Sequence, residues 1–460
     1  MIIIPVNVKK TQLPNTDNSG EVVSLTDSTI KERQNKVLTL MKEKEVTSLV
    51  IYADKEHGSN FEYLVGFIPR FEEALLVLNI DGTSTLVLGN ENFNKAQYSR
   101  IKSASKKCSL FSLPNQPMKG LRELEDIFSE ISMDTSGKLG VVGWKLIPGM
   151  KKSFDIPEFI IAALTSVVDR EKLVNVTDLF ISPKYGARIT NNANEIAHYE
   201  YGASLASDGV LEAMNALETN KSEIEIGEIL NKQGQYNSVV TIAAFGERFM
   251  NGNLYPTDNV LKKKDKVALT VAYRGGLSSR SGYAVENFAE LEEVDKNYFS
   301  EVIVPYFNAF HYWLMNIEIG KNAGEFYHQF EEYYPQEKFG WSLCPGHLTA
   351  EEEWLSSPFY KNSDATIQSG MIFQIDFIPS QPNHNGVSAE STVVLADNKL
   401  CSEIKQEYPK LWMRIENRRK YMLKELNIHL PDSVLPLTST VGYYRPFLLN
   451  KEYSMYINEE

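Results

Sequence analysis

Cysteine is scarce in this chain, three residues in 460, and Cys108, Cys344 and Cys401 stand far apart with no CxxC pair among them. That excludes a disulfide scaffold and a thiolate metal site, and it fits a reducing, cytoplasmic setting. Long apolar runs are missing as well. The opening MIIIPVNVKK is too short for a signal peptide or a membrane helix, and no later run approaches spanning length, so no membrane association is expected. Positive charge is in deficit: 47 Lys and Arg face 60 Asp and Glu, for a formal net charge of −13. The longest basic run, KKK at 262–264, reads as a solvated turn, so no nucleic-acid partner is expected.

What the chain has is enough material for two cores, with 43% hydrophobic residues and 23 Tyr and 22 Phe among them. After a polar start (10–27), STIKERQNKVLTLMKEKE carries Ile30, Val37, Leu40 and Met41 near helical spacing, with Ser28 or Thr29 as cap. TSLVIYA (47–53) reads as a strand, and ALLVLNIDGTSTLVLG (74–89) as a hairpin around Asp81-Gly82. A helix near 118–132 and a strand at KLGVVGW (138–144) continue the alternation. A second domain opens with a long helix over 192–218, whose Ile196, Tyr199, Ala203, Ala206, Val210, Ala213 and Leu217 form one stripe. A helix at 222–234 follows, then β-rich stretches at 237–246, 266–275 and 279–291. Helices at 295–318 and 322–334, strands within 370–380 and 386–397, and a charged helix at 402–425 complete the reading. His384, in the turn SQPNHNG between those last two strands, is read as a turn residue. The expected domains are 1–185 and 186–460.

Four segments carry a resemblance. ITNNANEIAHYEYGASLAS, NLYPTDNVLKKKDKVALTV, the PGH of WSLCPGHLTAEEEW, and GMIFQIDFIP with VSAEST stand in the order found in the pita-bread family of creatinase, aminopeptidase P and prolidase. The resemblance implies an α/β (α+β) fold, a creatinase-like N-terminal domain before a pita-bread catalytic domain, and a homodimer.

Metal-dependent members of that family hold two divalent ions with two Asp, one His and two Glu. Carried over residue by residue, the first Asp falls at about Thr270 and the second at or beside Arg280. The His falls on His347, the first Glu on Asp376 and the last Glu on Glu390. Asp376, Glu390 and Arg280 sum to a single negative charge when all are ionised, too little to balance two divalent cations. No metal or other cofactor is therefore expected, with a single divalent ion on His347, Asp376 and Glu390 left open. The family's proton-handling histidine aligns with Asn253, which cannot move a proton at neutral pH.

By resemblance to creatinase and ectoine hydrolase, the expected activity is metal-independent hydrolysis of a small, carboxylate-bearing C–N compound. His347 would act as general base, oriented by Glu390 or Asp376. Arg280 would hold the substrate carboxylate, with Thr270 and Asn253 as neutral partners and Glu353 pointing inward. In creatinase-type dimers the N-terminal domain approaches the neighbouring subunit's site, which makes His57, Tyr63, Phe67 and Arg70 candidates to close a small-molecule pocket. The alternatives are a residual Xaa-Pro metallopeptidase and a non-catalytic binding protein on a peptidase scaffold.

Overall fold

The computed structural model describes residues 6–17, 20–116, 121–147, 149–150 and 152–458. They form two units, Leu25–Ile189 and a second made of Met1–Ser24 with Thr190–Glu460. This differs from a division at residue 185 in one respect above all: the start of the chain belongs with its end. Strand β1 (Val6–Lys10) pairs antiparallel along its whole length with β15 (Tyr453–Ile457). Such a pairing across the whole sequence leaves no local signal in composition.

The unit Leu25–Ile189 is built on a six-stranded mixed sheet. Its strands are β2 (Val46–Ala53), β3 (Ala74–Asn79), β4 (Ser84–Leu88), β5 (Ala104–Lys107), β6 (Lys138–Val142) and β7 (Leu173–Asn175), in the order β5-β4-β3-β2-β6-β7. The expected hairpin is β3–β4: Gly82 takes φ +87°, and Asp81 accepts from the Thr83 amide. The first helix, Asp27–Glu43, buries Ile30, Val37 and Met41 against the sheet core. Its cap is Thr26, whose hydroxyl accepts from the Thr29 amide, rather than Ser28 or Thr29. The helix expected near 118–132 is Leu124–Glu130; residues 117–120 lie outside the described ones.

In the other unit, the helix Ala193–Ala216 starts on a reciprocal cap, Asn192 with Glu195, and is buried on nearly every face. It packs on β9 (Lys266–Tyr273) and β10 (Gly276–Tyr283), which with β8 (Ile242–Phe245) make an antiparallel sheet ordered β10-β9-β8. At Gly202 a Cβ would stand 1.9 Å from the Arg274 carbonyl oxygen, so only glycine lets the helix approach this closely. A second sheet runs β11 (His347–Leu348), β12 (Ile372–Ile375), β13 (Ser391–Leu395) and β14 (Val434–Pro436) in that order. Gln374 joins the two: its Nε2 donates to the Leu277 carbonyl at 2.9 Å and its Oε1 accepts from Thr392 at 2.8 Å.

Two elements depart from the expected pattern. The stretch 279–291 is a strand only to Tyr283, and Phe288–Val294 is a helix capped by Asn287. The charged helix is two, Asn398–Glu407 and Pro409–Leu426, broken where proline follows Tyr408. The turn 380–386 is pinned by His384, whose Nδ1 lies 2.7 Å from Asp295 Oδ1 and Nε2 3.2 Å from Glu301 Oε2. Among the described residues, no helix is long and apolar enough to cross a membrane.

The polar start is also anchored. The Asp17 amide donates to both oxygens of Asp208, which is buried on the long helix. Burial pushes the Asp208 carboxyl up to about 7, although the Asp17 amide opposes the shift. The folded chain therefore binds more protons here than the unfolded one between about pH 4 and 7, and stability falls as pH rises through that range. Asp208→Asn is expected to raise the thermal midpoint at pH 8, by up to about 4 kcal/mol of stability, and to flatten its dependence between pH 5 and 8. Unfolding scans of both proteins across that range check this.

Candidate active site

His347 follows Pro345-Gly346, and each residue of that turn has a structural reason. Gly346 takes φ +116°, a conformation that disfavours any Cβ, and Trp313 Nε1 donates to the Pro345 carbonyl at 2.6 Å. The turn delivers His347 to β11, paired opposite Gln374 of β12. Asp376 follows β12 directly, and Glu390 precedes β13. The β12–β13 register, which pairs Ile375 with Ser391, sets those two acids opposite each other one step further on.

The imidazole of His347 is fully buried and stacks on Trp354, with ring centroids 4.1 Å apart. Its Nδ1 lies 3.2 Å from the Leu348 carbonyl oxygen. Its Nε2 lies 2.8 Å from Glu353 Oε1 and 3.8 Å from Asp376 Oδ2. Neither contact has the alignment of a hydrogen bond at Nε2, so these are charge contacts. A carbonyl oxygen at Nδ1 and two carboxylates beside Nε2 favour the imidazolium. Burial alone would lower the pKa of His347, but Glu353 and Asp376 more than offset it and hold it above the ordinary value. Burial pushes Asp376 up to about 6 against the pull of His347. Glu390 is raised well beyond the carboxylate range by burial and by Asp376 and Glu353. Its Oε1 accepts from Ser279 Oγ at 2.8 Å, and Ser279 also hydrogen-bonds Ser388.

Strand alternation places the remaining residues. Thr270 of β9 pairs opposite Ser279 of β10, whereas Arg280 pairs opposite Leu269. Successive strand residues face opposite sides, so Ser279 shares a face with Thr270 and Arg280 takes the other. The buried Arg280 guanidinium gives its Nε–H to Tyr443 O, Nη1 to Ser279 O and Glu390 O, and Nη2 to Thr440 O. This corrects the expected substrate clamp. Arg280 fastens β10 to the Glu390 backbone and to the segment 440–443, leaving no fork for a carboxylate. Tyr306, absent from the sequence reading, accepts from the Ala389 amide at 2.8 Å beside Glu390.

Asn253 is exposed on the irregular helical segment Gly246–Leu254 and joins none of these contacts. Tyr63 and Arg70 belong to the other unit. Tyr63 is 2% exposed, donates its hydroxyl to Ala187 O and lies under the Arg33 guanidinium at 4.3 Å from its ring centroid. That makes it a core residue of its own unit rather than a pocket lid. Arg70 is partly buried and lines an open hollow of about 550 Å³ with His57, Asp54 and Phe71.

The donor set does not fit a pair of divalent ions. Hydroxyls of Thr270 and Ser279 stand where the resemblance places aspartates, and a guanidinium lies behind Glu390. Among the described residues, no three His, Cys, Asp or Glu side chains are disposed to hold a metal ion.

No family model matches the chain, and no curated protein sequence does. Solved structures do. An Xaa-Pro dipeptidase from Bacillus anthracis superposes with a TM-score of 0.59 at 16% identity, over 80% of this chain and 96% of that one. The prolidase from Pyrococcus horikoshii OT3 gives 0.59 at 16% identity, over 79% and 95%. An X-Pro aminopeptidase from Thermotoga maritima MSB8 gives 0.59 at 15%, over 79% and 95%. At such identities only the fold is carried across, and the chain has the pita-bread fold of these Xaa-Pro peptidases.

Proposed function

We propose that this protein hydrolyses a C–N bond in a small molecule by acid–base chemistry, without a bound metal. The observation that carries the reading is the convergence of His347, Glu353 and Asp376, with hydroxyls in place of two acidic ligands. In this reading Asp376 Oδ2, on the side facing His347, takes a proton from the attacking water. The His347 imidazolium, oriented by Glu353, gives its proton to the leaving nitrogen. The C–N bond breaks as the new C–O bond forms, and the proton on Asp376 then resets His347 across the gap. Glu390, held neutral, and Ser279 supply hydrogen bonds around the reacting carbon. We place the protein in the cytoplasm as a homodimer, which light scattering at twice the chain mass would support.

The test is metal content. Protein incubated with manganese, cobalt or zinc and then desalted is expected to retain no stoichiometric metal by mass spectrometry, and a chelator to leave turnover unchanged. Two ions per chain would return it to the metallopeptidases, and one would mark a mononuclear centre. Tight small-molecule binding with no turnover would select the non-catalytic scaffold.

A further inference from the structure

We propose that His384 is a pH-sensitive clasp on the connection between β12 and β13, closing the turn 380–386 as the imidazolium and releasing it as the neutral imidazole. This concerns how the site is held rather than what it hydrolyses, so it stands or falls apart from the reading above.

That connection runs from Asp376 to Glu390, so two acids of the site are its first and last residues and the turn is its tip. His384 ties the tip to two other elements. Its Nδ1 lies 2.7 Å from Oδ1 of Asp295, which ends the helix Phe288–Val294. Its Nε2 lies 3.2 Å from Oε2 of Glu301, on the π-helical turn Phe299–Ile303. Only the imidazolium has an N–H for each acid. In the neutral ring one nitrogen turns a lone pair toward a carboxylate, and one arm of the clasp is lost. Asp295 is buried and its Oδ2 also accepts from Tyr283 and from the Asn385 amide, so the exposed Glu301 lets go first. Nothing nearby can replace the lost charge. SQPNHNG has no other charged residue, and among the described residues neither acid pairs with a lysine or arginine. Tyr283, and Tyr298 with its ring 6.4 Å from the imidazole, are pushed far above the usual tyrosine range by burial and stay neutral. Burial alone would lower the pKa of His384, but Asp295 and Glu301 more than offset it and hold it above the ordinary value. Closure is therefore complete below the ordinary histidine value and is lost as pH rises through the raised one. Each pKa unit that closure adds is worth about tenfold in the ratio of closed to open turn. Neutral bonds such as Tyr298 Oη to the Gly386 carbonyl, at 3.1 Å, leave a loosened turn rather than an unfolded domain.

The experiment follows hydrogen exchange of the full-length protein by mass spectrometry between about pH 6 and pH 9.5, with the intrinsic pH dependence of amide exchange divided out. Exchange at the imidazole C2–H of each histidine gives the titration of His384 apart from that of His347. Amide protection over 380–388 is expected to fall by about tenfold across the range, along the His384 titration, while the helix Ala193–Ala216 keeps its protection. In His384→Gln the turn should be as open at pH 6 as the native turn is at pH 9.5, and indifferent to pH. Glu301→Gln should move the imidazole titration and the loosening together to lower pH. Protection that stays constant through the titration, a loss shared by Ala193–Ala216, or an equal pH-dependent loss in His384→Gln would each overturn the proposal. If His384→Gln does not fold, Glu301→Gln decides, since that acid is exposed; loosening that fails to move with the imidazole titration would be fatal.

Discussion

Glu200→Ala is expected to lower the unfolding free energy by about 3–5 kcal/mol, a large share of what a domain of ordinary stability has. Glu200 is completely buried on the long helix Ala193–Ala216. It accepts from Arg414 Nε at 2.9 Å and Nη2 at 2.6 Å, and from Arg418 Nη2 at 2.6 Å. Arg418 keeps other partners, Asp17 Oδ2 at 2.6 Å and the Pro436 carbonyl at 3.0 Å. Arg414 has Glu200 as its acid, so the truncation strands a buried guanidinium. Burial raises the Glu200 carboxyl, but the two arginines outweigh it and leave the pKa below its ordinary value. A depressed acid adds stability above its unfolded pKa and loses it as pH falls through the folded one, so the penalty of the variant shrinks below about pH 4. Urea titrations at pH 7 and pH 3.5 measure both effects. Breaking the exposed Lys221–Glu225 pair, which solvent screens, should matter far less.

The second large effect is on catalysis. With a substrate in hand, His347→Gln is expected to reduce turnover by about 100- to 10,000-fold while leaving the fold intact. The pH profile should be bell-shaped. Its acid limb should lie near the value of about 6 for Asp376, below which the base is protonated. Its alkaline limb should lie above the ordinary histidine range, because Glu353 and Asp376 hold the His347 proton. Both limbs belong to the coupled pair. Glu353→Gln removes an anion from Nε2, so the alkaline limb moves to lower pH. A limb that does not move would take Glu353 out of the site.

The sequence exposed what is local. The Asp81-Gly82 hairpin and the start of the long helix at Asn192 rest on short-range chemistry, and both formed as expected. β11–β12 pairing brings His347 beside Asp376, β12–β13 pairing sets Glu390 opposite Asp376, and Glu353 reaches the same imidazole. The second acidic position, expected at or beside Arg280, falls on Ser279, because Arg280 one residue on faces the other side of the sheet and serves no substrate. Tyr63 resembled a pocket aromatic because an exposed and a buried tyrosine look alike in one dimension. Only the fold puts Arg33 over its ring. Phe288–Val294 followed a strand-like run, and the Asn287 cap that starts its helix was the signal passed over.

The antiparallel match of Val6–Lys10 with Tyr453–Ile457 has a consequence for biosynthesis. The ribosome releases β1 long before its partner, so that strand waits unpaired while the six-stranded sheet of Leu25–Ile189 is made. That unit is threaded into the sequence like a guest, and the host closes only when its tail emerges. Nascent chains stalled before residue 453 should therefore leave Val6–Lys10 open to protease, while Leu25–Ile189 is already protected.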